Sequence, residues 1–187
     1  VLTEIIRRRQ AVVGLLSGTM SRDEAFQFMR IGRNVERADM TSRVLDISYA
    51  VNLPYQAGQF ADLVWMSVLH ALSAHQMYRR HVGVHAKGHK VVHYLLNDPR
   101  FPRSVRHCVG ELQAALGELP GDGPQRQVAS LIRALDAVDA RKLAQAGLHE
   151  FCDRVQAGLG ALSDAIGQAY FRAAHAQSFT QRQFKLA

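Results

Sequence analysis

Apolar residues recur along this chain at intervals of three and four, the period of helices packed against a core. Leu2, Ile5, Ile6, Val12, Val13, Leu15 and Leu16 keep that spacing around Arg7-Arg8-Arg9. They predict a first helix from Leu2 to about Leu16, ended by Gly18. Ser21-Arg22-Asp23-Glu24 has the form of a capping box, with the serine as cap and the glutamate reaching back to its amide. No proline follows until Pro54, so a second helix is expected from Arg22 to about Ala50, about 44 Å at 1.5 Å per residue. A third is expected from about Gln59 through Trp65, Leu69 and Leu72 to Arg80, then a loop over His81–Gly88 and a short helix over Val91–Leu96 that Asn97-Asp98-Pro99 stops. Pro102 suits the first turn of a helix carrying Val105, Val109, Leu112 and Leu116. The clearest connector is Leu119-Pro120-Gly121-Asp122-Gly123-Pro124. Two further helices follow, about Gln125–Ala137 and about Ala140–Ala174, and the polar tail Gln177–Ala187 is expected to fray. No alternating strand pattern competes. The pattern predicts an all-α fold, one antiparallel helical bundle spanning residues 1–187 and built around a long central helix.

At 187 residues one core is the default, burying roughly 70% of the surface of the unfolded chain. The formal net charge of +7 comes almost wholly from arginine, with lysine only at Lys87, Lys90, Lys142 and Lys185. Cys108 and Cys152 sit in helical patterns without metal-ligand spacing and read as buried and reduced. No apolar run reaches bilayer-spanning length, and a chain starting at Val1 has neither a leader nor an initiator methionine. The expectation is a cytoplasmic protein of which this is a piece.

Charge enters the second helix in an unusual way. From Phe28 to Asp46 it carries Arg30, Arg33, Arg37 and Arg43 together with Glu36, Asp39 and Asp46. Ile31, Val35, Ala38, Ser42 and Leu45 form one core-facing stripe, while Phe26, Met29, Met40, Val44 and Ile47 form a second, so the helix is expected to be covered on two faces. Arg30, Arg33 and Arg37 fall within an arc of about 60° on a 3.6-residue helix. Arg33 and Arg37, one turn apart, repel each other. Asp39 and Arg43 are a favourable pair at the same spacing. Glu36, Asp39 and Asp46 can pair locally with Arg43 and Arg33, which marks Asp39, Arg43 and Asp46 as structural and leaves Arg30 and Arg37 underpaired. Two readings stand side by side: ion pairs to other helices, or an arginine-lined pocket for a carboxylate or phosphate.

The run from Gly18-Thr19-Met20 through Ile31-Gly32-Arg33, Glu36-Arg37-Ala38-Asp39 and Thr41-Ser42-Arg43-Val44-Leu45-Asp46 resembles the alpha-E family, bacterial helical proteins named for a Glu-Arg motif. Trp65, Leu69, Ser73-Ala74, Tyr78-Arg79-Arg80, Leu95-Leu96 and Phe101-Pro102-Arg103-Ser104-Val105 continue the resemblance in the same order. It implies an all-helical protein without established activity, found beside or fused to an ATP-grasp-type ligase and a transglutaminase-like protease in peptide synthesis or modification. It marks Gly32, Arg33, Glu36, Arg37 and Arg43, with Pro102, Arg103 and Ser104. It also implies an earlier Trp-containing helix with its own Glu-Arg motif, which this chain lacks.

Arg103 and Ser104 have a physical reading of their own, either an anion held at the positive end of a helix or plain N-terminal capping. The candidate ligand-binding residues are therefore Arg30, Arg33, Glu36, Arg37, Arg103 and Ser104. His81, His85, His89 and His93 recur every four residues, but Gly83 and Gly88 interrupt a continuous helix. Solvated loop histidines are expected there, and neither metal nor cofactor. Phosphate loops, a Ser/His/Asp order and HExxH are absent, and arginine neighbours favour an ionised Glu36, which opposes acid–base duty. The expectation is a non-catalytic accessory or binding module. Its alternatives are an enzyme subunit lending Glu36 and Arg37 to a composite ligase site and, lower, a nucleic-acid-binding basic domain.

Overall fold

The computed structural model describes residues 1–52 and 61–172, with the side chains of 50–52 and 172 left aside. All the regular structure among them is helical: α1 (Leu2–Thr19), α2 (Glu24–Asn52), α3 (Ala61–Ala71), α4 (His75–His81), α5 (Gly88–Asn97), α6 (Val105–Gly117), α7 (Gly123–Asp136), α8 (Ala140–Gln145) and α9 (Leu148–Ile166), the last running into a π turn over Gly167–Arg172. The all-α expectation holds. Tail residues 177–187, the start of the third helix at Gln59 and the end of the last at Ala174 lie outside the described residues.

The long α2 is the centre of the packing. Its most extensive partner is α6, then α9, with α3 and α5 on further sides. Ile31, Ala38, Ser42 and Leu45 of the predicted inner stripe are buried, and Tyr49 extends it. Opposite them, α6 buries Val105, Cys108, Val109, Leu112, Ala115 and Leu116. Each such leucine contributes about 1.5–3 kcal/mol over its exposed state. From the other side α9 brings Phe151, Cys152, Val155, Leu159 and Leu162. α7 lies close to α9 because Gly158 has no side chain: a Cβ there would stand 2.6 Å from Leu131 Cδ2.

Several sequence expectations are corrected. The second stripe of α2 is not a buried face: Met29, Met40 and Ile47 are 37%, 52% and 64% exposed. The start of α2 is capped by Asp23, whose Oδ1 accepts the Phe26 amide at 3.1 Å; the carboxylate sits one residue ahead of the first helical turn, and Ser21 lies too far back. The expected third helix is two. The chain turns at Ser73, which takes a left-handed φ of 53°, and the Ser73 and Ala74 amides donate back to His70 and Leu69. The expected last helix also breaks, at Gly147 with φ 87°. α5 starts three residues early, at Gly88. α6 starts at Val105, so Pro102 lies in the preceding turn instead of the first helical turn.

α1 differs from every other long helix. It buries no residue at all. Leu2, Ile5, Ile6, Val12 and Leu15 of its apolar set are exposed, and only Val13, Leu16 and Met20 near its end are half-covered. No helix among the described residues is long and apolar enough to cross a membrane.

Candidate functional site

The charged stripe of α2 is resolved into three fates. Arg30 is compensated: its guanidinium donates to Glu111 of α6 at 2.8 Å and to Gln27 at 3.1 Å. That corrects its reading as underpaired, and the pair holds the Glu111 carboxyl below its usual range. Arg43 pairs with Asp39 at 2.7 Å, as its spacing predicts. Asp46 does not pair locally; it takes His149 Nδ1 of α9 at 2.7 Å, while His149 Nε2 lies 3.5 Å from Asp153. These two carboxylates raise the His149 pKa, the Asp46 hydrogen bond most. With ligating atoms within 4.8 Å of one another, they form the cluster of metal-ligand type among the described residues. The imidazole already stands between the two acids, so the group closes on itself as an ion triad joining α2 to α9.

Arg33 and Arg37 have the third fate. The Nε atoms of both are buried without an acceptor among the described residues, although one-turn spacing offers Glu36 to Arg33. Glu36 is instead exposed. An orphaned buried donor costs about 1–3 kcal/mol. The Arg37 pKa is lowered, first by burial and then by the positive charge of Arg33, with Arg103 and Arg9 adding to it. Like charges are gathered here, and among the described residues neither Nε is hydrogen-bonded to an acid.

They gather around a space. Arg9, Gly32, Arg33, Glu36, Arg37 and Arg103 help line a cavity of about 460 Å3 over the α2 surface. Arg103 is delivered by backbone architecture. Asp98 Oδ1 accepts the amides of Arg100 and Phe101 at 2.8 and 3.0 Å, closing the turn ahead of α6. Thr41 of α2, 1% exposed, then donates its hydroxyl to the Arg103 carbonyl at 2.8 Å. The turn is thereby docked on α2 beside Arg37. Ser104 is not brought to the cavity. It is fully buried, accepts the His107 amide at 3.0 Å as the cap of α6, and donates to the Asp98 carbonyl. The capping reading of Ser104 replaces the ligand reading.

Gly32 gives the cavity its open floor. It is mid-helix, where glycine costs about 0.5–1 kcal/mol relative to alanine. Neither of the usual reasons for that cost applies, since it has no positive φ and a Cβ there would meet no atom within 4 Å. The space it leaves is not used by the protein itself.

A rival cavity of about 510 Å3 lies between α5 and α8, with His89, His93, Lys90, Arg141 and Asp139 on its walls. Asp139 is engaged as the cap of α8, accepting the amides of Arg141 and Lys142, and none of these side chains holds an orphaned buried atom. The four histidines are dispersed over the end of α4, the loop and α5, and no metal-type cluster among the described residues contains them. Cys108 and Cys152 are buried and free, and burial pushes their thiols up to about 11 and about 12, so both stay protonated near neutral pH.

Sequence reasoning missed Arg9 and Thr41. Arg9 was visible only as part of a basic triplet, although it shares a helical face with Val13 and Leu16 at i+4 and i+7. Thr41 carried no local signal of its own, because its partner is 62 residues away.

Comparison with known proteins gives one match. Residues 1–171 fit the model of the Alpha-E family, described as a predicted alpha-helical domain with a conserved ER motif. No curated protein and no solved structure matches. Glu36-Arg37 is the only Glu-Arg pair in the sequence, and both residues line the arginine cavity. The chain belongs to the Alpha-E family.

Proposed function

We propose that this Alpha-E protein is a non-catalytic binding module whose arginine cavity takes a carboxylate- or phosphate-bearing ligand. The single observation behind the reading is that Arg33 and Arg37 each keep a buried Nε without an acceptor among the described residues, in a cavity shared with Arg9 and Arg103. An anion supplies the missing acceptors and the missing negative charge together, and guanidinium groups are the donors best matched to both anions. Glu36 on the same wall repels an anion from its own edge.

In this reading the protein is cytoplasmic and acts with an ATP-grasp-type ligase and a transglutaminase-like protein, the neighbours its family resemblance implies, in making or modifying peptides. The second reading, in which Glu36 and Arg37 complete an active site on such a ligase, is favoured by their common position on the cavity wall.

Calorimetric titration with inorganic phosphate and with acetate at low ionic strength tests the proposal. The wild-type protein is expected to bind, and Arg37→Ala to weaken binding by about 10- to 150-fold, the worth of one hydrogen bond to a charged group. Its melting temperature should hold or rise as repulsion from Arg33 is relieved. Absence of binding by the wild type defeats the reading; a variant that melts many degrees lower makes Arg37 a structural residue. Turnover of ATP by the purified chain alone would defeat the non-catalytic part.

A further inference from the structure

The charged cavity has a neighbour on the far side of Arg33. A second chamber of about 260 Å3 adjoins it, and Arg9 and Arg33 stand in the walls of both. Beyond those two arginines the lining changes character: Val13 and Leu16 come from α1, Phe26 and Met29 from α2. Arg30 also borders this chamber, but its guanidinium is held by Glu111 and Gln27 and adds no free charge. Met29, Arg33 and Arg37 succeed one another at one-turn intervals, so apolar wall, shared partition and charged wall follow along α2 in steps of about 6 Å.

We propose that the ligand is an amphiphile, an anionic head joined to a short apolar group. The head lies among Arg33, Arg37 and Arg103, and the apolar group passes between Arg9 and Arg33 into the chamber walled by Val13, Leu16, Phe26 and Met29. The proposal rests on the anion reading above and adds the tail to it. At about 260 Å3 the second chamber is smaller than most small-molecule sites, while the two joined fall within their usual range. An anion alone leaves the apolar chamber wet. A tail that fills it gains affinity by about fourfold for each methylene removed from water.

The tail has a second effect. α1 buries nothing of its own, and Val13 and Leu16 are among its few half-covered residues. A ligand seated between them and α2 supplies the apolar contact that α1 lacks. Binding of the whole amphiphile therefore fastens α1 to the domain, and binding of the head alone does not.

The test compares heads with and without tails. Wild-type protein and Leu16→Ser are titrated with acetate, inorganic phosphate, octanoate, octyl phosphate and N-acetylleucine, and amide exchange of α1 is followed in parallel. Leu16→Ser is chosen because α1 adds no buried residue to the core. The expected result is that the tailed anions bind at least tenfold more tightly than acetate or phosphate and slow exchange in α1. Leu16→Ser is expected to lose that advantage while keeping its affinity for phosphate. Preference for octanoate or octyl phosphate assigns the tail to an acyl-type chain; preference for N-acetylleucine assigns it to the side chain of a C-terminal peptide residue. Equal binding with and without tails overturns the amphiphile and leaves the anion site standing. Binding of tailed anions that Arg37→Ala does not weaken also overturns it. If no anion binds, the anion site itself has failed.

Discussion

Two halves of one helix treat charge in opposite ways. From Asp39 onward α2 closes its accounts: Asp39 takes Arg43 at 2.7 Å and Asp46 takes His149 at 2.7 Å. One turn earlier, Arg33 and Arg37 keep buried Nε atoms with no acceptor among the described residues, and the positive charges of Arg33, Arg103 and Arg9 bear on Arg37. Both halves pack on the same core, but the first holds three arginines against two glutamates and the second one arginine against two aspartates. The C-terminal half uses charge to join helices. The N-terminal half concentrates it over a cavity, at a cost to stability of about 1–3 kcal/mol per orphaned donor, and such a cost on an otherwise well-packed helix is characteristic of binding sites.

The largest effect on this contrast is expected from Thr41→Val. The shape is nearly kept, but the Arg103 carbonyl loses its donor, which costs about 0.5–1.5 kcal/mol and loosens the turn that carries Arg103. Chemical denaturation should show that loss, and phosphate affinity should fall with it. Unchanged affinity would remove Arg103 from the site. Gly32→Ala should separate stability from binding: the domain gains about 0.5–1 kcal/mol from a better helix former, while a methyl group on the cavity floor weakens anion binding. If both improve together, the space above Gly32 has no ligand. Asp39→Asn breaks a pair whose arginine is about half exposed, so solvent screening should keep the change in stability the smallest among these three substitutions. Anion binding should not respond, and a response would merge the two halves into one network.

The smallest effect is in the pH profile. The His149 pKa is raised in the folded protein, so the stabilisation from its triad is complete below the unfolded value of about 6.5. It is lost as pH rises through the higher folded value. The melting-temperature difference between wild type and His149→Ala should therefore be greater at pH 6 than at pH 8.5. A difference that is constant with pH would show that the triad acts through packing.

How far the sequence reveals this molecule depends on the range of the interaction concerned. The period of apolar residues is local, and it places α2, α6, α7 and the α6–α7 connector well. Ser73 was illegible because neither glycine nor proline marks the break; its left-handed turn is held by hydrogen bonds to His70 and Leu69 that exist only once α3 has formed. Gly147 was legible, yet the apolar period on both sides of it hid the break. Arg37 stands out in the sequence because no local acid satisfies it, whereas Arg33 has Glu36 within one turn and only the structure shows that pair unmade. Arg30 looks like Arg37 there and differs only because Glu111, 81 residues away, comes to meet it. Ser104 similarly fits a ligand or a cap, and the nearby Asp98 turn decides for the cap. The site was legible as a surplus of charge, and the compensating partners were not.

The docking of the Arg103 turn separates two things that proteins often fuse. Thr41 grips the main chain, which is the same for every amino acid, and leaves the side chain unconstrained by that contact. A lineage can therefore exchange the residue at this post for a shorter, longer or neutral one without disturbing the joint between α2 and the start of α6. The scaffold is inherited whole while the chemistry displayed over the cavity stays open to selection.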